Sequence, residues 1–145
     1  VKAFTAFDRR TNQFCDAITN ASILCLYAGA GTDTQKKYTI EHCERILDDC
    51  VYGMPSLDPK HESFESERYW RGPVWLIMNY MILVGLENEE EYLLAKRIKD
   101  DTIKLIDIGG MFEYFNPFTG KGLGGDNFSW TAAIFLKLCR ESYDS

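Results

Sequence analysis

Fifteen consecutive residues, GPVWLIMNYMILVGL from Gly72 to Leu86, carry no charge. Pro73 suits a first helical turn and Gly85 a stop, so the run predicts a helix over about 73–84. A helix that is apolar on every side must be enclosed by other elements. It is also short of the roughly 20 residues needed to cross a bilayer, so it is expected inside a protein core and not in a membrane. Its neighbours read differently. About 39–52 predicts an amphipathic helix with Thr39 as N-cap and Ile40, Cys43, Leu47, Cys50 and Val51 on one face. Asn88 followed by Glu91 reads as a capping box opening another, to about Ile106, with an apolar stripe of Leu94, Ile98 and Leu105. Two further apolar helices are predicted. One covers Asn12 to about Ala28, with Asp16 its only charge. The other starts at an Asp126-Asn127 cap and carries Phe128, Trp130, Ile134, Phe135, Leu138 and Cys139. No strand pair is predicted. Helices that alternate between fully apolar and amphipathic are expected where an inner ring is wrapped by an outer one, as in an α/α barrel or toroid. A small irregular bundle gives the same alternation.

Loop lengths alternate in step. The long connections, Gly53 to Gly72 and Asp107 to Gly125, each lead from an outer into an inner helix, whereas Gly85 to Asn88 is short. In a ring this places both long loops at one mouth, beside the N-termini of the inner helices. Unpaired N–H groups and partial positive charge there favour a carboxylate or sugar hydroxyls.

Composition narrows the function. A net charge of −6 and the absence of a basic stripe argue against nucleic acid. Five cysteines (Cys15, Cys25, Cys43, Cys50 and Cys139) without a C-x-x-C pattern read as reduced thiols, mostly on apolar helix faces, in a cytoplasmic protein. Two histidines, His42 and His61, are poor material for a metal site, and no cofactor is implied. The N-x-S sequons at Asn20 and Asn127 fall in or at the start of predicted helices and read as chance. Aromatic residues reach 14%, enough to face a ligand as well as fill a core.

Those rings concentrate in the two long loops. In ERYWRGPVW, residues 67–75, Tyr69, Trp70 and Trp75 offer flat faces suited to the C–H faces of sugars, and Arg71 offers a planar fork of donors. The plainer alternative is that Trp75 begins a core helix and Arg71 pairs with an acidic neighbour. In GGMFEYFNPFTGKGLGGDNFSW, residues 109–130, Glu113 is a lone carboxylate among aromatics and glycines. Either it bonds the turn at Asn116-Pro117 and Thr119-Gly120, or it is a general base in a partly desolvated pocket, kept ionised by helix N-termini and Arg71. Gly109, Gly110, Gly122, Gly124 and Gly125 permit tight approach.

ERYWRGPVWLIMNYMILVGL and FEYFNPFTGKGLGGDNFSWTAAIFL, with the spacer VYGMPSLDPKHESFESERYW, resemble the C-terminal catalytic-domain signatures of the mannosylglycerate hydrolase and glucosidase I group, inverting α-glycosidases of glycoside hydrolase family 63 type. The similarity runs from about Asp8 to Tyr143. It implies an (α/α)6 barrel and hydrolysis of an α-glucoside or α-mannoside, such as a glycosylglycerate or oligosaccharide, with inversion. It makes Glu113 the general base; Tyr69, Trp70 and Trp75 the lining of the sugar site; Arg71 the motif's arginine; and Trp130 an aromatic supporting the pocket. Lys121 departs from the family, which often has an acid after T-G.

The resemblance also implies a general acid, an Asp in a D-N-S type motif upstream, and no such motif occurs in this chain. Asp126-Asn127 comes nearest but already serves as the cap in GGDNFSW. Asp8 and Asp58 are acids by chemistry alone. Five helices do not close an (α/α)6 ring, and the chain starts at Val1 within sequence typical of the middle of a catalytic domain. Residues 1–145 are therefore expected to be the C-terminal segment of a catalytic domain, inactive alone and prone to self-association through a cut apolar edge. Its partner is expected to be a small carbohydrate, with neither nucleic acid nor membrane. Two alternatives stand beside this: a non-catalytic carbohydrate-binding remnant, and an α-helical interaction module. No self-similarity at about 34 or 40 residues supports the latter.

Overall fold

The computed structural model describes residues 2–141. Val1 and Tyr143, which bound the expectations above, lie outside the described residues. The elements in chain order are β1 (Phe7–Asp8), β2 (Gln13–Phe14), α1 (Asn20–Ile23), α2 (Asp33–Asp48), α3 (Leu76–Asn88), α4 (Tyr92–Gly109), β3 (Tyr114–Phe115), β4 (Gly122–Leu123) and α5 (Ser129–Glu141).

Most of the uncharged run forms α3, the element around which the others assemble. The helix starts at Leu76, after Pro73 and the bridged Val74, and continues through Gly85 to Asn88, so neither the expected start nor the expected stop holds. It packs on α4, α5 and α1, while α1 packs on α2. Leu76, Ile82, Leu83 and Leu86 of α3 join Ile23, Leu26, Ile46, Leu47, Ile98 and Leu105 in one core. The amphipathic α2 and α4 turn their charged faces outward, as the alternation predicts. Ile77, Met78, Met81 and Val84, on the other side of α3, are only partly covered.

Several expectations are corrected. The predicted helix over 12–28 is replaced by a β-hairpin, a short α1 and a series of turns. Asn12 adopts a left-handed φ of 56°, Asp8 Oδ1 accepts a bond from the Arg10 N–H (2.8 Å), and Phe7 packs edge-on against Phe14 at 4.9 Å. Local polar bonds thus close a turn over the polar residues Asp8–Gln13, and its second strand occupies the start of the expected helix. The helix over 39–52 begins earlier, at a Thr32 cap. Thr32 Oγ1 accepts from the Gln35 N–H (3.3 Å) and Gln35 Oε1 from the Thr32 N–H (2.9 Å), while Thr39 lies buried mid-helix, its hydroxyl donating to Gln35 O. A polar first turn has no apolar period and is invisible to a pattern search, although its capping box is in the sequence. The Asn88–Glu91 capping box does not form. Asn88 ends α3, and Glu91 precedes α4 without a side-chain cap bond. Asn127, at φ 49°, turns the chain before α5, which starts at Ser129. Two short antiparallel pairs, β1–β2 and β3–β4, stand where none was predicted. Among the described residues, no helix is long and apolar enough to cross a membrane.

One polar residue in α3 explains how the first long loop is fixed. Asn79 is fully buried; its Oδ1 accepts from the Met54 N–H (2.8 Å), and its Nδ2 donates to Met54 O (2.8 Å) and Trp75 O (3.3 Å). Gly53, at φ 57°, passes so close that a Cβ would sit 2.7 Å from Asn79 Oδ1, and its N–H is bonded by the buried Asp101 carboxylate (3.1 Å). Buried polar groups must be paired, and here both partners are loop backbone.

Candidate functional site

The two long loops meet. Val74 and Phe115 exchange both backbone hydrogen bonds (2.8 and 3.0 Å), and the N–H groups of Val51 and Tyr52 both donate to Pro117 O. Because Val74 precedes Trp75 and Phe115 follows Tyr114, this single bridge sets Trp75 beside Tyr114. Their rings stack with centroids 5.0 Å apart. Trp70 lies parallel to Trp75 at 3.9 Å and 3°, and Tyr69 meets Trp70, Trp75 and Tyr114 edge-on at 5.9, 5.1 and 5.6 Å. Tyr69 holds a left-handed φ of 38°, stabilised by the Trp75 indole N–H donating to its carbonyl (3.1 Å). A bulky residue in that conformation is strained, and such strain clusters at functional sites.

Tyr69, Trp70 and Trp75 are therefore brought together, but unequally. Trp75 is only 2% exposed and forms the floor of the cluster, whereas Tyr69 and Trp70 are 51% and 40% exposed and offer faces to a ligand. Arg71 is engaged elsewhere. Its guanidinium pairs with Glu65, whose N–H also bonds Arg71 O (2.7 Å), so it braces its own loop instead of facing Glu113. Both features of the plainer reading, Trp75 at the start of α3 and Arg71 paired with an acid, are thus present in the structure. Trp130 is 54% exposed near the start of α5 and touches Phe128 at 5.6 Å. Among the described residues no ring contact joins it to the Trp70–Trp75 stack; it borders a shallow apolar pocket with Ile77, Ala133 and Ile134.

Glu113 precedes β3. Its N–H donates to Gly125 O (2.9 Å), and its Oε2 accepts from the Gly125 N–H (3.2 Å). It does not bond the Asn116–Gly120 turn. There Asn116 Oδ1 accepts from the N–H groups of Phe118 and Thr119, and the Thr119 hydroxyl from that of Lys121. Gly124 has φ 74°, and a Cβ there would lie 2.6 Å from Glu113 Oε2 and 2.7 Å from Tyr114 Cε1. Only glycine leaves the carboxylate this room. The far end of the hairpin reaches the first loop again: Asn116 Nδ2 donates to Glu67 Oε1 (3.3 Å), and Lys121 Nζ lies 3.5 Å from the same oxygen. Thr131, in the first turn of α5, donates to Phe112 O (2.6 Å) and ties the hairpin to that helix.

Both aspartates offered as acids are shifted downward, the opposite of the raised pKa that suits a general acid. Burial pushes the Asp58 carboxyl up. Its two bonds from Arg45 (3.1 and 2.5 Å) and one from the Lys60 N–H outweigh this and hold it below the ordinary range. The N–H groups of Arg10 and Thr11 do the same for Asp8, in a surface turn. The five thiols are free. Burial pushes Cys43 and Cys50 up to about 12, while Cys15 lies exposed after β2 because the helix expected there does not form. No three His, Cys, Asp or Glu side chains gather around a metal position among the described residues. Sequence reasoning passed over Tyr114 and Asn79. Tyr114 stood within the motif read for Glu113, and Asn79 is the only strongly polar residue in the uncharged run.

Residues 1–131 match the family described as the mannosylglycerate hydrolase MGH1-like glycoside hydrolase domain. Mannosylglycerate hydrolase MGH1 of Selaginella moellendorffii is 46% identical over 129 residues, which is 89% of this chain and 26% of that protein. Mannosylglycerate hydrolase of Thermus thermophilus is 40% identical over 118 residues, 81% of this chain and 28% of its own length. The chain thus spans about a quarter of the curated relatives it matches. The crystal structure of a GH63 mannosylglycerate hydrolase from Thermus thermophilus in complex with glucose superposes with a TM-score of 0.89 at 35% identity, over 94% of this chain and 33% of that one. Neutral trehalase Nth1 of Saccharomyces cerevisiae, at 18% identity and a TM-score of 0.67, shares the fold. The helices are part of an (α/α)6 barrel, and the chain belongs to the mannosylglycerate hydrolase MGH1-like glycoside hydrolase family.

Proposed function

We propose that this chain supplies the general-base half of an inverting α-glycosidase site. The observation that carries the reading is the placement of Glu113. Its carboxylate is fixed by one backbone N–H, on a hairpin whose next residue, Tyr114, stacks into the Tyr69–Trp70–Trp75 cluster. A hexose laid against the exposed faces of Tyr69 and Trp70 has its apolar C–H side covered there. Glu113 takes a proton from a water attacking the anomeric carbon on the face opposite the leaving oxygen. In an inverting site the acid that protonates the leaving oxygen stands roughly 6.5–9.5 Å from the base. Asp8 and Asp58 are both shifted downward, the wrong direction for that acid, so the role falls to an Asp of the D-N-S type, a motif that residues 1–145 do not contain. Relatives named as mannosylglycerate hydrolases and a structure solved with glucose favour an α-mannoside or α-glucoside of a small acceptor such as glycerate. Residues 1–145 then act as one segment of a catalytic domain. Its free thiols fit a cytoplasmic enzyme, and the partly covered side of α3 with the exposed Trp130 and Leu136 of α5 is the face through which the isolated segment self-associates.

Glu113→Gln in the native gene product tests the base. Turnover of mannosyl- and glucosylglycerate is expected to fall about 10²–10⁴-fold while sugar affinity is kept. Unchanged turnover removes Glu113 from the mechanism. The anomer first released, followed by proton NMR, tests inversion.

A further inference from the structure

Tyr114 joins the two halves of the site. Its ring is stacked on Trp75 and edge-on to Tyr69, so its plane is fixed from two sides. It borders the same Gly124 backbone as the Glu113 carboxylate, both side chains lying where a Cβ on that glycine would intrude. Its hydroxyl makes no hydrogen bond to another described residue and is open to solvent: among the described residues, the buried side-chain polar atom left without a partner is Asn20 Nδ2, not this one. A fixed ring with a solvent-open hydroxyl beside a site is a donor that a ligand hydroxyl can engage in place of water. Fixing the ring in advance removes the ordering cost that a mobile side chain would add to binding.

We infer that Tyr114 is a further substrate-contacting residue, whose hydroxyl donates a hydrogen bond to a ring hydroxyl of the neutral hexose held over Glu113. The inference rests on the glycosidase reading given above. The phenol is well placed to keep its proton: burial, then the neighbouring Glu113 carboxylate and Tyr69, push its pKa upward, so it remains a donor through neutral and mildly alkaline pH. Of the two phenols in the cluster, Tyr114 is the one that adjoins Glu113 in the chain and shares the Gly124 contact with it. Arg71 is paired with Glu65, and Lys121 lies with Glu67 at the far end of the hairpin. The described part of the site therefore presents a hydroxyl and aromatic faces to a neutral ring, with its cations already paired.

The test compares Tyr114→Phe with Glu113→Gln in the native gene product, assayed on mannosylglycerate and glucosylglycerate. Tyr114→Phe keeps the ring and every stacking contact and removes only the hydroxyl, so the thermal midpoint is expected to stay within about 1 °C. The expected kinetic result is a KM raised about three- to tenfold with kcat changed less than twofold, the value of one hydrogen bond made equally in ground and transition states. Wild-type KM in Tyr114→Phe overturns the inference. A fall in kcat at constant KM also overturns it, assigning the hydroxyl to the attacking water instead. Loss of turnover in Glu113→Gln alongside unchanged Tyr114→Phe kinetics refutes this inference and leaves the base in place. Unchanged turnover in Glu113→Gln refutes the underlying reading, whatever Tyr114→Phe does.

Discussion

The loop that carries Tyr69 and Trp70 is pinned by buried side chains, whereas the loop that carries Glu113 is held mainly by its own backbone. In the first, Asn79 clamps Met54, Asp101 holds Gly53, Arg45 grips Asp58, and Ser56 Oγ accepts from the Gly72 N–H (2.9 Å). In the second, two short strands, an Asn116 side-chain turn and a left-handed glycine shape a hairpin that is largely exposed from Gly122 to Asn127. The difference follows from task. An aromatic wall needs a fixed plane, which comes from anchoring to helices through satisfied buried polar groups. A carboxylate needs space and one orienting N–H, which come from omitting a Cβ. Damage to the first loop should therefore show first as lost stability, and damage to the second as lost activity in a protein that still folds.

Asn79→Ala should have the largest effect. It strands the N–H and C=O of Met54, which is fully buried, and leaves a cavity beside Gly53. Each stranded group costs about 1–3 kcal/mol, so a total of about 3 kcal/mol and a fall in thermal midpoint of roughly 10 °C are expected. Circular dichroism melts check this. A midpoint within about 2 °C of the wild type would mean that the loop is held by something other than this clamp.

Arg45→Met comes next, and its signature is in pH. Asp58 is the most buried carboxylate contacting Arg45, and Arg45 is itself about a third exposed. The pair is therefore worth less than a fully buried one, about 1–2 kcal/mol. Since the folded-state pKa of Asp58 is lowered, its stabilising contribution is present above the unfolded value of about 3.9 and is lost as pH falls through the folded value. Wild type and variant should thus differ at about pH 6–7 and converge as the pH is taken down through the lowered folded-state value of Asp58, which a series of urea titrations from neutral into acid measures. A gap that persists in acid would mean that Arg45 acts through packing alone.

Much of this contrast was open to the sequence, and its physical basis says which parts. An uncharged fifteen-residue run that is apolar on every side asks to be enclosed, so the existence of α3 and its place between charged helices follow from burial, although its ends do not. The aromatic and glycine-rich loops announce a ligand site by composition. Closed to periodicity were the elements that owe their form to single hydrogen bonds. Thr32 with Gln35 starts α2 before any apolar repeat begins, and Asp8 with Asn12 closes a hairpin through the polar run Asp8–Gln13, just ahead of the apolar stretch. Contacts between distant segments were equally hidden. Nothing local to Asn79 points to Met54, whereas the pairing of Arg71 with an acidic neighbour is one of the two readings the sequence leaves open, and Glu65 is that neighbour. Tyr114 becomes visible as a site residue only once the Val74–Phe115 bridge has set it beside Trp75.

Gly124→Ala should have the smallest effect on stability and a large one on chemistry. The new Cβ forces a left-handed φ of 74° on alanine and meets Glu113 Oε2 at 2.6 Å. The backbone strain costs about 1–2 kcal/mol, part of it relieved because residues 124–127 are exposed and can shift, so the midpoint should fall by only a few degrees. The carboxylate cannot keep both its place and its bond to Gly125. A displacement of about 1 Å at a reacting group costs on the order of 10²-fold in rate, and that loss is expected in kcat. The same Cβ, 2.7 Å from Tyr114 Cε1, also crowds that ring, while its nearest contacts include none of Tyr69, Trp70 and Trp75. Glycosidase assays and thermal melts on the same preparation separate the two effects. A variant that melts far lower but retains its turnover per folded molecule would reverse the contrast, making the Glu113 hairpin the structural element and leaving the base to be found elsewhere.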